Sequence, residues 1–152
     1  MGMPDPSFRF RLERVRALRE RSEDAAKEAL AGAMHDHHRC EQELHTAAGR
    51  IAGARSAQLD AASRPMSATD LIARQAYLER TERAHVARRH DLDRQAVELA
   101  RVRELLTIAA RERQALERLK ERRRADHELE MARHEGIVLD EIAINGFRRR
   151  AA

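Results

Sequence analysis

The stretch LIARQAYLERTERAHVARRHDLDRQAVELARVRELL, Leu71 to Leu106, opens a proline-free segment that extends to Ala143. Its leucines keep one seven-residue register, in which His85 takes the place of a missing leucine. A repeat of seven puts these side chains on one stripe of an α-helix, and such a stripe needs a partner helix. The register positions are Leu71, Leu78, Leu92, Leu99 and Leu106.

Composition points to long helices. The 152 residues are 42% hydrophobic and 37% charged, with no Trp, one Tyr and three Phe. Such a chain is rich in helix formers and poor in the large side chains that fill globular cores, which is typical of coiled coils rather than of α/β or sandwich folds. Few glycines and prolines interrupt it, so we expect two long helices in a single domain, residues 1–152.

The helix boundaries follow from local signals. Ser7 is a suitable N-cap, and an apolar stripe then runs from Phe8 through the first helix, expected over about residues 8–62. Pro65 disfavours helix before it, and Ser67 with Asp70 forms a capping-box pattern, so the turn is expected at about 63–69. The second helix is expected over about 70–145, with Gly146 as its C-cap.

A short connection makes long amphipathic helices antiparallel neighbours. Folding the chain about Pro65 places Leu99 near Gly32 and Ala33, so large side chains of the second helix meet small ones of the first. The stripe of the first helix continues past Val15 through Leu18 or Ser22. The predicted hairpin seam consists of Phe8, Leu12, Val15, Leu30, Leu44, Ile51, Leu92, Leu99, Val102, Leu106, Leu116 and Leu119.

The second helix is longer than its partner. If both helices rise equally per residue, Phe8 lies opposite about residue 123. The part of the second helix beyond that level is therefore predicted to overhang. The overhang ends in an apolar cluster, which either frays or contacts a partner. The cluster comprises Ile137, Val138, Leu139, Ile142, Ile144 and Phe147.

The segment His35 to Glu41 holds residue types that ligate metals, and His37, Cys40 and Glu41 could converge on one helix face. His37 and Cys40 lie on the predicted seam, however, and no second ligand cluster has matching spacing. We therefore predict no metal site and no cofactor.

Nothing in the sequence indicates catalysis. There is no glycine-rich phosphate loop and no nucleophile with a placed base, and a two-helix rod offers no pocket that excludes water. The single cysteine, Cys40, precludes an internal disulfide, and no secretory signal or membrane-spanning run is present. We expect a non-enzymatic protein of the cytoplasm.

Two basic runs, one after Phe8 and one after Leu116, are neighbours in the predicted pairing. Acidic residues dilute both runs, so the pattern favours an acidic protein surface over nucleic acid. The net charge of +4 likewise results from a dense mixture of basic and acidic residues.

Two motifs resemble the flagellar type III export protein family FliJ. The first is FRFRLERVRALR, from Phe8 to Arg19, which is similar to that family's opening of phenylalanines, a hydrophobic heptad and arginine. The second is ALERLKERR, from Ala115 to Arg123, continued by Glu128, Glu135 and the run Asp140 to Ala143. The middle of the chain, Gly32 to Ser63, carries no such resemblance.

The resemblance implies a component of the flagellar export apparatus that acts as central stalk and regulator of a hexameric export ATPase. It also implies contacts with the membrane export gate and with export chaperones, at the cytoplasmic face of the inner membrane. We expect the ATPase pore to be contacted by Arg11, Arg14, Arg16, Arg118, Arg122, Arg123, Arg124, Asp140 and Glu141.

Other functions stay open at this point. The chain could be a structural coiled coil that only dimerises, with two hairpins pairing through their alanine-rich outer faces. It could also be the equivalent stalk protein of a virulence type III secretion system.

Overall fold

The protein is all-α and folds as an antiparallel two-helix hairpin, which confirms the predicted fold class. In the computed structural model the described residues are 7–151. Helix α1 spans Glu13–Ala62 and helix α2 spans Ala68–Ala151. The described chain divides into two compact units, one formed by residues 7–23 with 108–151 and the other by residues 24–107. Each contains a part of both helices.

The turn between the helices is closed by the predicted residues. The Ser63 hydroxyl donates to the Asp60 carbonyl at 2.7 Å, and α1 ends before Pro65. Ser67 then caps α2, because its hydroxyl oxygen accepts a hydrogen bond from the Asp70 amide at 3.1 Å and donates to the Asp70 carboxylate at 2.7 Å. This reciprocal pair satisfies an amide that the first helical turn leaves without a partner.

The two outer helix ends differ from the expected positions. Phe8 to Phe10 are not helical, Arg11 and Leu12 form a turn, and α1 starts at Glu13. Phe8 lies in the non-helical segment before α1, and its ring contacts His127 of α2 with 5.8 Å between the ring centroids. At the other end α2 continues through Gly146 to Ala151 instead of being capped there.

In the unit of residues 24–107 the seam is a thin apolar core. Ala33, Leu99 and Val102 form a buried cluster against which Leu30 packs, so Leu99 has the predicted neighbour Ala33. Cys40 and Ala47 are buried as well. The remaining predicted seam residues here, Leu44, Ile51, Leu92 and Leu106, are half-buried.

In the unit of residues 7–23 and 108–151 the seam differs from the predicted stripe. Leu12 and Val15 are 39% and 42% exposed, and Leu18 and Ser22 are exposed too. Glu23 is instead buried, at 7% exposure. The predicted seam residues Phe8, Leu116 and Leu119 are half-buried.

Two valines of α2 test the seam with the same chemical change. Val102 is 5% exposed and Val97 is 72% exposed. We expect Val102→Ala to lower the free energy of unfolding by about 1.5 kcal/mol, because it removes two buried methyl groups. Val97→Ala should raise it by a few tenths of a kcal/mol, since alanine is the better helix former.

Urea unfolding followed by circular dichroism measures both values. Equal effects of the two substitutions would contradict the assigned seam.

Candidate partner-binding surface

Ion pairs between the helices occupy the seam where the apolar stripe of α1 was expected. Glu23 of α1 accepts a short hydrogen bond from Arg113 Nε of α2, and this hydrogen bond raises the pKa of Arg113. Arg19 Nη1 donates to Glu112 at 2.7 Å. Hydrophobic periodicity missed these positions because it scores charged residues as solvent-facing. The available signal was their three- and four-residue spacing in register with Ala26 and Leu30.

A second group of charges lies one turn closer to the start of α1. The Glu13 carboxylate accepts from Arg16 Nε at 2.8 Å and pairs with Lys120 Nζ at 3.0 Å. Arg16 Nη1 also lies 3.5 Å from Glu117 Oε2, a buried oxygen without a hydrogen bond in the described chain. The pKa of Glu13 is lowered, chiefly by the hydrogen bond from Arg16 and to a smaller extent by the one from Lys120. These charges therefore connect α1 to α2 and are engaged within the hairpin.

The expected ATPase-contacting arginines accordingly fall into two groups. Arg16 is half-buried and ion-paired, so its charge serves the hairpin. Arg124 is exposed and pairs with Glu128 of the next turn at 3.0 Å. The others are exposed and make no ion pair or side-chain hydrogen bond within residues 7–151; these are Arg11, Arg14, Arg118, Arg122 and Arg123.

Asp140 and Glu141 lie farther along α2 than the contact of His127 with Phe8. Both are exposed, and neither forms an ion pair with the described residues. The contacts between the helices bring the two basic runs together at one level of this unit, while the two acids belong to the terminal part of α2.

The terminal part of α2 presents large apolar side chains to solvent. Between Glu128 and Arg149, only Met131 and His134 are half-buried, and every other residue is exposed. Consecutive helical residues point about 100° apart, so Ile137, Val138 and Leu139 face three directions. The exposed apolar side chains are Leu129, Ile137, Val138, Leu139, Ile142, Ile144 and Phe147. This surface lacks an internal partner among the described residues.

The histidine-rich segment of α1 does not form a ligand set. His37 Nδ1 and His38 Nδ1 lie 3.7 Å and 3.5 Å from the Glu41 carboxylate, and Cys40 is buried. Within residues 7–151 no three His, Cys, Asp or Glu side chains are grouped so as to hold a metal ion. Neither helix of the described chain has an apolar run that could cross a bilayer.

The fold and the surface define a class of protein, an α-helical hairpin whose conspicuous features are unpaired arginines and an uncovered apolar helix end. The sequence model of the family described as flagellar FliJ protein matches residues 8–152. The chain belongs to this family, which takes part in flagellar protein export as a non-enzymatic component. No curated protein and no solved structure matches the chain.

The lowered pKa of Glu13 predicts acid sensitivity of the hairpin. Ionised Glu13 stabilises the hairpin in full at pH values above its ordinary pKa of 4.5. This stabilisation is lost as the pH falls through the lowered pKa. Glu13→Gln should therefore lower the melting temperature at pH 6 by about 1 to 3 °C, and the difference from the unsubstituted protein should shrink as the pH falls below 4.5.

Glu121→Gln is the matched control, because Glu121 is exposed and without an ion pair in the described chain. Thermal unfolding by circular dichroism across this pH range measures the differences. A Glu13→Gln effect that stays constant down to pH 3 would contradict the assigned ion pairs.

Proposed function

We propose that this chain is the central stalk and regulator of the hexameric flagellar export ATPase. It catalyses no reaction itself and works by inserting one end of its hairpin into the pore of the ATPase ring. Membership of the FliJ family supports a role in export. The finer assignment rests on the terminal part of α2.

The observation that carries the proposal is the exposure of apolar side chains on several sides of one helix end. Apolar side chains on several sides of a helix are all removed from water only when a partner covers each of those sides. A flat partner surface would cover one side and leave the others wet. The pore of a ring encloses a helix from every side, so it fits Ile137, Val138 and Leu139 better than a flat contact does.

The unpaired arginines supply the electrostatic part of the contact. Arg118, Arg122 and Arg123 are exposed on α2. Arg11 and Arg14 are exposed near the start of α1, in the same unit. An acidic pore lining would attract these charges, and such long-range attraction mainly speeds and orients association. Because none of them is used in the described hairpin, they can bind a partner without loosening α1 from α2.

The same arrangement suggests how the protein could serve the export chaperones. With one end in the ATPase, the part of the hairpin formed by residues 24–107 remains available for the membrane export gate and for chaperones that deliver export substrates. These contacts would hold the complex at the cytoplasmic face of the inner membrane without a membrane span in the described chain.

Charge reversal at Arg118, Arg122 and Arg123 to Glu tests the stalk proposal. We expect binding to the purified hexameric ATPase to weaken about tenfold or more, with reduced swimming in soft agar. The melting temperature should stay close to that of the unsubstituted protein, since these side chains make no contact that the hairpin needs.

The matched control reverses Arg64, Arg89 and Arg103, which are also exposed and lie in the other unit. It changes the net charge by the same amount and should leave ATPase binding intact. Unchanged binding and motility after reversal of the first three arginines would refute the stalk proposal. Self-association of the protein without any ATPase binding would favour a dimerising scaffold.

A further inference from the structure

One side of the unit formed by residues 24–107 carries a continuous groove between α1 and α2. Three adjoining recesses have volumes of about 390, 390 and 380 Å³. The first two share Arg39, Glu43 and Arg88, and the second and third share Ala47, Arg50 and Ala84. We call this recess the arginine groove and define it by Arg39, Ala47, Arg50, Arg80, Ala84 and Arg88.

The carboxylates inside the arginine groove are already neutralised. Arg88 Nη1 lies 2.9 Å from Glu43 of α1 and 3.4 Å from Asp91 of its own helix. Asp91 also accepts a short hydrogen bond from Arg94. The pair of Arg88 with Glu43 joins the two walls of the groove, and both Glu43 and Asp91 have a cation beside them.

Two guanidinium groups of the groove form no ion pair with a carboxylate of the described residues. Arg50 makes no ion pair or side-chain hydrogen bond with the described residues. Arg80 lies over the ring of Tyr77, with its guanidinium carbon 5.5 Å from the ring centroid, and has no carboxylate partner within residues 7–151. Both line the same recess, Arg50 from α1 and Arg80 from α2. A single carboxylate placed between them could therefore bind both.

Small side chains line the groove between these arginines. Ala47 is buried in the seam, whereas Ala84 is exposed and adds only a methyl group, so a third helix can approach closely at Ala84. Helices that pack through small residues lie at the short end of the usual 8–10 Å interaxial range.

We propose that the arginine groove binds an acidic amphipathic helix of a partner protein. The helix would set one or two carboxylates against Arg50 and Arg80 and a small residue against Ala84, completing a local three-helix packing. A nucleic acid would need a longer row of cations without ion pairs in the described chain than Arg50 and Arg80 provide. Tyr77 is moreover the sole aromatic residue lining the recesses, too few for base stacking.

A fluorescein-labelled helical peptide of roughly 20 residues, with glutamates at i, i+4 and i+7 in an alanine background, serves as the probe. Fluorescence anisotropy with the full chain should show saturable binding of this peptide and none of its lysine counterpart. Arg50→Glu combined with Arg80→Glu should weaken binding about tenfold or more.

Arg89→Glu combined with Arg103→Glu is the matched control. Both arginines are exposed on α2 and neither lines the arginine groove. This pair changes the charge equally and should leave binding within about twofold. Circular dichroism melting of each variant verifies that the hairpin is intact.

Several results would overturn the proposal. These are absent binding, equal binding of the lysine peptide, or an equal loss in the matched control. Binding of labelled oligothymidylate with the same dependence on Arg50 and Arg80 would assign the groove to nucleic acid. Self-association that the groove variant abolishes would assign it to a second copy of the chain. The assay contains no ATPase, so its outcome is independent of the stalk proposal.

Discussion

Small residues on α1 facing large residues on α2 are the constraint on which the hairpin depends. Leucine and valine of α2 meet alanine of α1 in the buried cluster of Ala33, Leu99 and Val102. Burying one such large side chain stabilises the fold by about 1.5 to 3 kcal/mol, whereas the alanine opposite adds little. Because this core is one side chain thick, specific ion pairs between the helices have more influence on their register than they would beside a large core.

Those ion pairs explain where sequence reasoning succeeded and where it did not. The leucine repeat, Pro65 and the Ser67 cap are strong local signals, and they predicted an antiparallel helical hairpin. The first turns of α1 were harder, because Arg16, Arg19 and Glu23 face α2 while Val15 and Leu18 are exposed. A charged residue joins a seam only when its counter-charge lies at the right level of the other helix, and that depends on tertiary register.

The same limit applies to the partner-binding surface. Sequence identifies arginine-rich runs but does not distinguish Arg14, which has no ion pair in the described chain, from Arg16, which has several. A difference of two residues along a helix rotates the side chain by about 200°, which moves it from the surface into the seam. The arginine groove is a similar case, since Arg50 and Arg80 are far apart in sequence and meet only through the pairing of the helices.

The uncovered apolar end of α2 has an energetic consequence for any molecule that covers it. Each large side chain there would contribute about 1.5 to 3 kcal/mol if a partner buried it fully, and several are present. The gain would be comparable with that of the thin core of residues 24–107, where the buried large side chains are Leu99 and Val102. Part of it would be offset by the ordering of side chains and by lost translational freedom. A helix end whose apolar contacts come mainly from another molecule is therefore expected to be most stable in the complex, which couples its order to assembly.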